Sequence, residues 1–126
     1  MNTHGNHSML DLQYDPKETN LETNFIMEYC YKIIEESIIE NSDMKIIDKR
    51  KHLFIDPAGF TIFFCLDESH CSVHSYTNRG LLSFDCYTCG KTNPVIIINE
   101  IKKKLQNILN LKETYFHTVK RFHYII

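Results

Sequence analysis

Residues 44–66 read MKIIDKRKHLFIDPAGFTIFFCL. Two strand-like runs, Met44 to Ile55 and Phe60 to Leu66, flank Asp56-Pro57-Ala58-Gly59. Proline fixes one turn dihedral and glycine frees another, so the break predicts a hairpin rather than one long strand. The second run, Phe60-Thr61-Ile62-Phe63-Phe64, is apolar on both faces. Such a strand expects cover on both sides: helices of its own chain on one, and a second protomer as the simplest cover on the other.

The same reading extends outward. Met9 to Tyr14 alternates and is followed by the turn-like Asp15-Pro16. Thr19-Asn20-Leu21-Glu22 has the spacing of a capping box, and Phe25, Ile26, Tyr29, Cys30, Ile33, Ile34 and Ile38 then recur at helical spacing. Beyond the hairpin, Cys71 to Tyr76 and Leu81 to Tyr87 are extended runs around Thr77-Asn78-Arg79-Gly80. Asn93-Pro94 marks a second helix start, with Ile98, Ile101, Leu105 and Ile108 on one face. Thr114 to Ile126 alternates as a closing strand, and the first five residues are expected to be loose. The order strand, helix, four strands, helix, strand predicts an α+β two-layer sandwich, a mostly antiparallel sheet with two helices on one face.

A chain of 126 residues that is 43% hydrophobic can bury one ordinary core, and no repeat or Gly/Ser linker divides it. One domain, 1–126, is expected. A net charge of -2 with no basic stripe argues against nucleic acid as the main partner. The apolar runs are too short to span a bilayer and the N-terminus is polar, so no membrane partner and a cytoplasmic setting are expected. Five cysteines, an odd count without a signal peptide, argue against a disulfide scaffold.

The chemistry is concentrated in Asp67 to Tyr76, DESHCSVHSY, where two histidines, three serines, two acids and a cysteine fill one strand-length segment. Zinc held by His70, Cys71, His74, Cys86 and Cys89 is one reading, although the Cys86-Tyr-Thr-Cys89 pair falls on a strand rather than in a knuckle. A redox CxxC is a second, although such pairs favour a helix N-terminus and Cys89-Gly90-Lys91-Thr92 leads into a loop. A plain structural reading makes Cys30, Cys65 and Cys86 small core residues and the segment a polar hairpin.

A further reading follows from order. Glu68-Ser69-His70-Cys71-Ser72-Val73-His74-Ser75-Tyr76, followed by Asp85-Cys86-Tyr87-Thr88-Cys89-Gly90, resembles the signature of the prokaryotic-type S-adenosylmethionine decarboxylase proenzymes. Gly5-Asn6-His7-Ser8-Met9-Leu10-Asp11 is similar to that family's opening strand. His52-Leu53-Phe54 with Gly59-Phe60-Thr61 is similar to its next hairpin, apart from one extra residue near Asp56-Pro57.

The resemblance implies a self-made cofactor. Ser69 would attack the carbonyl of Glu68, and elimination and hydrolysis would leave a pyruvoyl group, dividing the chain into a β chain, 1–68, and an α chain, 69–126. A ketone that forms a Schiff base with a substrate amine supplies the electron sink that decarboxylation needs. By the same resemblance His74 matches the processing histidine, Cys89 the general acid, Thr61 a processing hydroxyl and Phe54 the aromatic that stacks on adenine. The family commonly continues Thr-Trp-Pro-Glu after the second histidine, where this chain has Ser75-Tyr76-Thr77-Asn78. Asn78 thus stands where a glutamate would bind ribose. The expected function is S-adenosylmethionine decarboxylation for spermidine synthesis by a homodimer of processed protomers. A pyruvoyl-dependent ornithine or arginine decarboxylase, or a non-catalytic regulatory paralogue, is the alternative. No metal is assigned.

Overall fold

The computed structural model covers residues 1–126. Six strands form one sheet: β1 (Gly5–Gln13), β2 (Ile46–Phe54), β3 (Gly59–Leu66), β4 (His70–Tyr76), β5 (Leu81–Thr88) and β6 (Lys112–Arg121). Two helices, α1 (Thr23–Asn41) and α2 (Pro94–Leu105), connect them. Strand order is β2-β3-β4-β5-β1-β6, and every neighbouring pair is antiparallel.

The hairpin that opened the sequence reading forms as expected, with Phe54 opposite Gly59. Its second strand is less symmetric than its composition suggests. Phe60, Ile62, Phe64 and Leu66 are buried against the helices, whereas Phe63 on the other face is 42% exposed. Burying each such phenylalanine is worth about 1.5–3 kcal/mol. The core layer is completed by Leu10, Leu12, Val73, Leu82 and Phe84 from the other strands and by Ile33, Ile34, Ile98 and Ile101 from the helices.

Helix α2 starts where its signal predicted: the Asn93 side chain accepts from the Val95 N–H at 3.0 Å, and Pro94 follows in the first turn. Helix α1 does not use the capping box. It begins at Thr23 after Glu22, which makes no side-chain cap, while the Thr19 hydroxyl accepts from the Leu21 N–H at 3.2 Å after a short 3-10 turn at Pro16–Glu18. Phe25 is 49% exposed and stands off the core face, so the buried stripe runs from Ile26 to Ile38.

The ends of the chain also differ from expectation. The N-terminus is tied down: β1 starts at Gly5, and Asn2 and Tyr124 exchange backbone hydrogen bonds of 3.0 and 2.9 Å. The last strand ends at Arg121, because Phe122 turns into the left-handed region at φ 52. Between β4 and β5, Gly80 sits at φ +65 with the Tyr14 carbonyl oxygen 1.9 Å from where a Cβ would be, which only glycine tolerates. No helix is long and apolar enough to cross a membrane.

Candidate active site

Both helices cover one face of the sheet. Strand alternation turns the polar half of β1, β3, β4 and β5 onto the other face: His7, Thr61, His70, Ser72, His74, Asp85 and Tyr87. The residues singled out by sequence fall at its two ends.

At one end is the β3–β4 turn. Leu66 N–H donates to the Ser69 carbonyl at 2.9 Å, and the Glu68 N–H donates to the Asp67 carboxylate at 3.0 Å, so the backbone on both sides of the Glu68–Ser69 bond is pinned. The Ser69 hydroxyl is buried and has no hydrogen-bond partner. Leaving a buried hydroxyl unpaired costs about 1–3 kcal/mol, so such a group calls for an explanation. Tyr14 and Ser37 share that condition, but only Ser69 is joined to a residue lining the cavity described next.

That cavity, about 430 Å³, holds Glu68, Cys89, Gly90, Lys91 and Lys120 on its walls. The β4–β5 ladder ends with His70 opposite Tyr87, so Glu68 and Cys89 lie just past its last pair and face one space. Gly90 takes φ +105, which turns the chain away immediately after Cys89 and suits glycine alone. Cys89 is half-buried. By contrast Cys30, Cys71 and Cys86 are fully buried. Burial pushes the Cys30 thiol far up, and the adjacent Cys86 together with burial does the same to Cys71. These are inert core thiols.

Beside the turn lies a cluster that sequence reasoning did not single out. His7 Nε2 is 2.6 Å from Asp85 Oδ2, His70 Nε2 is 3.5 Å from the same oxygen, and the Ser72 hydroxyl donates to Oδ1. Burial would raise the Asp85 pKa, but hydrogen bonds from His70, Ser72 and His7 outweigh it and hold the carboxyl well below the usual range. The His70 ring stacks against Phe63 and Tyr87, at centroid distances of 5.7 and 5.9 Å. The signal was alternation: Asp85 interrupts the buried pair Phe84 and Cys86, so it must face the other side.

At the other end of the face, His74 Nδ1 lies 3.1 Å from the Thr61 hydroxyl, with the two residues directly paired across β3 and β4. Phe54 packs near Tyr76, at a centroid distance of 6.0 Å, and Asn78 is exposed in the following turn. His74 is five residues along an extended strand from Ser69, about 16 Å at 3.3 Å per residue. Ser69 and Cys89 are thus brought to one end, and Thr61, His74, Phe54 and Asn78 to the other.

The five-residue zinc set does not converge. His70 and His74 face the open side, whereas Cys71 and Cys86 are buried opposite each other under the helices. A redox pair of Cys86 with Cys89 fails for the same reason, since Cys86 is sealed in the core.

The family model described as S-adenosylmethionine decarboxylase matches residues 6–121. A Symbiobacterium thermophilum protein named S-adenosylmethionine decarboxylase proenzyme is 30% identical over 112 residues, covering 82% of this chain and 74% of that one. A Brevibacillus brevis protein of the same name is 43% identical over 60 residues, 47% of this chain and only 42% of its own length. The crystal structure of the adenosylmethionine decarboxylase from Aquifex aeolicus superposes with a TM-score of 0.70 at 23% identity, over 99% of this chain and 96% of that one, a likeness of fold. With the matched region running from β1 through the turn, the cavity and β6, the chain belongs to the S-adenosylmethionine decarboxylase family.

Proposed function

We propose that this chain is a proenzyme that cuts itself between Glu68 and Ser69 and then decarboxylates S-adenosylmethionine. The observation that carries the reading is the buried, unpartnered Ser69 hydroxyl, joined to a residue of the Cys89 cavity, in a chain of this family. A hydroxyl not tied up by another partner, next to a peptide bond whose flanking backbone is held, is what an amide-to-ester shift can start from.

The Ser69 Oγ adds to the Glu68 carbonyl carbon, the C–N bond breaks, and the nitrogen takes the hydroxyl proton, leaving an ester. Loss of the Ser69 α-proton expels the Glu68 carboxylate and leaves a dehydroalanine. Its imine tautomer takes up water and loses ammonia, giving a ketone on the nitrogen of His70. The β chain then ends at Glu68, and the α chain begins at former Ser69. That ketone supplies the electron sink for loss of CO2 from an α-amino acid.

Other residues hold and move protons. His74, oriented by Thr61, serves the cleavage as acid and base, and Cys89 returns a proton to the substrate's α-carbon. Phe54 offers a flat face for adenine and Asn78 an amide for the ribose diol. The roughly 16 Å between Ser69 and His74 is too far for proton transfer within one protomer. This supports a homodimer whose open faces stack about a two-fold axis perpendicular to the strands, so that one protomer's Ser69 and Cys89 meet the partner copy's His74, Thr61 and Phe54. The half-exposed Phe63 would be covered in the same way. A cytoplasmic setting suits a thiol acid and five unpaired cysteines, and the product would serve as aminopropyl donor for spermidine.

The test is the intact mass of freshly purified protein under denaturing, reducing conditions. Two fragments meeting at Glu68 and Ser69 are expected, with Ser69→Ala whole and inactive. An uncut wild-type chain, or a Ser69→Ala chain that still divides, would overturn the reading. Because Asn78 replaces a carboxylate, CO2 release is compared from labelled S-adenosylmethionine, ornithine and arginine. Release from a basic amino acid instead would reassign the substrate and leave the cleavage chemistry standing.

A further inference from the structure

We propose that Asp85 is a positioning residue for self-cleavage, holding His70 and through it the group that becomes the new chain end. The inference rests on the cleavage reading above. His70 directly follows Ser69, so its backbone nitrogen still carries the former serine after the Glu68–Ser69 bond is gone. Before cleavage that residue is held by chain on both sides. Afterwards only His70 holds it.

Three contacts fix His70. Phe63 and Tyr87 stack against its ring, with interplanar angles of 23° and 24°, and its Nε2 lies 3.5 Å from Asp85 Oδ2. The carboxylate is itself anchored by two further contacts: His7 of β1 shares Oδ2 at 2.6 Å, and Ser72 of β4 donates to Oδ1. One half-buried anion therefore ties β1, β4 and β5 together one residue beyond the reacting serine. His70 makes no hydrogen bond with the Ser69 hydroxyl, which has no partner, so the cluster acts on the geometry of the turn rather than as its base.

Geometry decides two outcomes. The attack needs the Ser69 Oγ within about 3–3.5 Å of the Glu68 carbonyl carbon, so a loosened turn slows ester formation. The ester then has two fates. Elimination with loss of ammonia gives the pyruvoyl end; direct attack of water on the ester gives the Glu68 carboxylate and an N-terminal serine, heavier than the pyruvoyl end by one ammonia. A mobile chain end exposes the ester to water and shifts the share toward serine.

The experiment follows cleavage by intact mass over time, at a temperature where each protein is folded by circular dichroism. Asp85→Asn is expected to cleave about tenfold more slowly or worse, with N-terminal serine accumulating, and Asp85→Glu to recover part of the rate. Asp11→Ala, which removes the acceptor of the 2.7 Å Ser83–Asp11 hydrogen bond on the same face, should cleave as wild type. Because Asp85 acts through His70, adding Asp85→Asn to His70→Ala should slow cleavage no further. Were Asp85→Asn unable to fold, His70→Ala carries the same two readouts. Wild-type rate with a clean pyruvoyl end in either variant, or effects that multiply in the double variant, would overturn this inference alone. An uncut wild-type chain would overturn the cleavage reading and this inference with it.

Discussion

The two ends of the open face are built differently. At the turn end, Asp85 gathers three donors, the backbone on both sides of Glu68–Ser69 is pinned, and the cavity is walled by lysines and a glutamate. At the far end, His74 is exposed with one partner, Thr61, and Phe54 lies beside a Tyr76 that is 45% exposed. At one end the charged groups are mostly paired within the chain, and the other presents exposed groups with few partners. Polar groups and aromatic faces left uncovered on a sheet that is otherwise well packed are the features a docking copy would complete. The contrast teaches that sequence proximity misleads here: Ser69 and His74 are five positions apart in the chain, yet the extended strand sets them at opposite ends of the sheet.

The largest effect tests that division directly. Cys89→Ala and His74→Ala are each expected to be inactive alone. Co-expressed, they should regain activity, because one site of a mixed dimer has an intact turn end from one copy and an intact far end from the other. Random pairing would restore about a quarter of wild-type sites. Activity is measured as CO2 release on the co-purified mixture, and no recovery in a verified mixed dimer would break the division of labour between the two ends. A tenfold effect comes next. Phe54→Ala removes an aromatic face worth about 1–1.5 kcal/mol, so KM for S-adenosylmethionine should rise about tenfold while the cleavage time course stays unchanged. A slowed cleavage with unchanged KM would assign Phe54 to packing over Gly59, where its ring lies within 2.4 Å of a built Cβ.

How legible each end was follows from the range of the signals. Asn93-Pro94 was readable because the cap that starts α2 is local, one side chain and an N–H two residues on. The capping box at Thr19–Glu22 was misread because its threonine has a nearer use, the Leu21 N–H, after the 3-10 turn has already redirected the chain. The fold as a whole was readable from alternation and helical period, and the turn end through the ordered residues Glu68, Ser69 and Cys89. The Asp85 cluster was not, since His7 and Asp85 are 78 positions apart and meet only through the register of β1 on β5. Alternation could have placed Asp85 on the open face, but pairing it with His7 and His70 needs the strand order. Separating His74 from Ser69 needed only the rise per residue of a strand, and the ordered motif drew attention away from it.

The smallest effect concerns the turn end alone, and its sign follows from the direction of the Asp85 shift. Its folded carboxyl is held below the ordinary value by His70, Ser72 and His7 despite burial, with Arg121 also close to His7 at 3.4 Å. A group depressed in the folded state binds protons more readily when unfolded, so its contribution is fully present above the unfolded value, about 4, and is lost as pH falls toward the folded one. Asp85→Asn should therefore cost about 1 kcal/mol of folding stability at pH 7, a factor of about five in the folding equilibrium. Urea unfolding of wild type and variant at pH 7, 5, 4 and 3 (roughly the span of the linkage) should show a gap that holds down to about pH 4 and narrows below it. A gap that is constant across the series would mean that the carboxylate is not the charged hub of the turn end. The asymmetry between the two ends would then rest on packing around His70 rather than on charge.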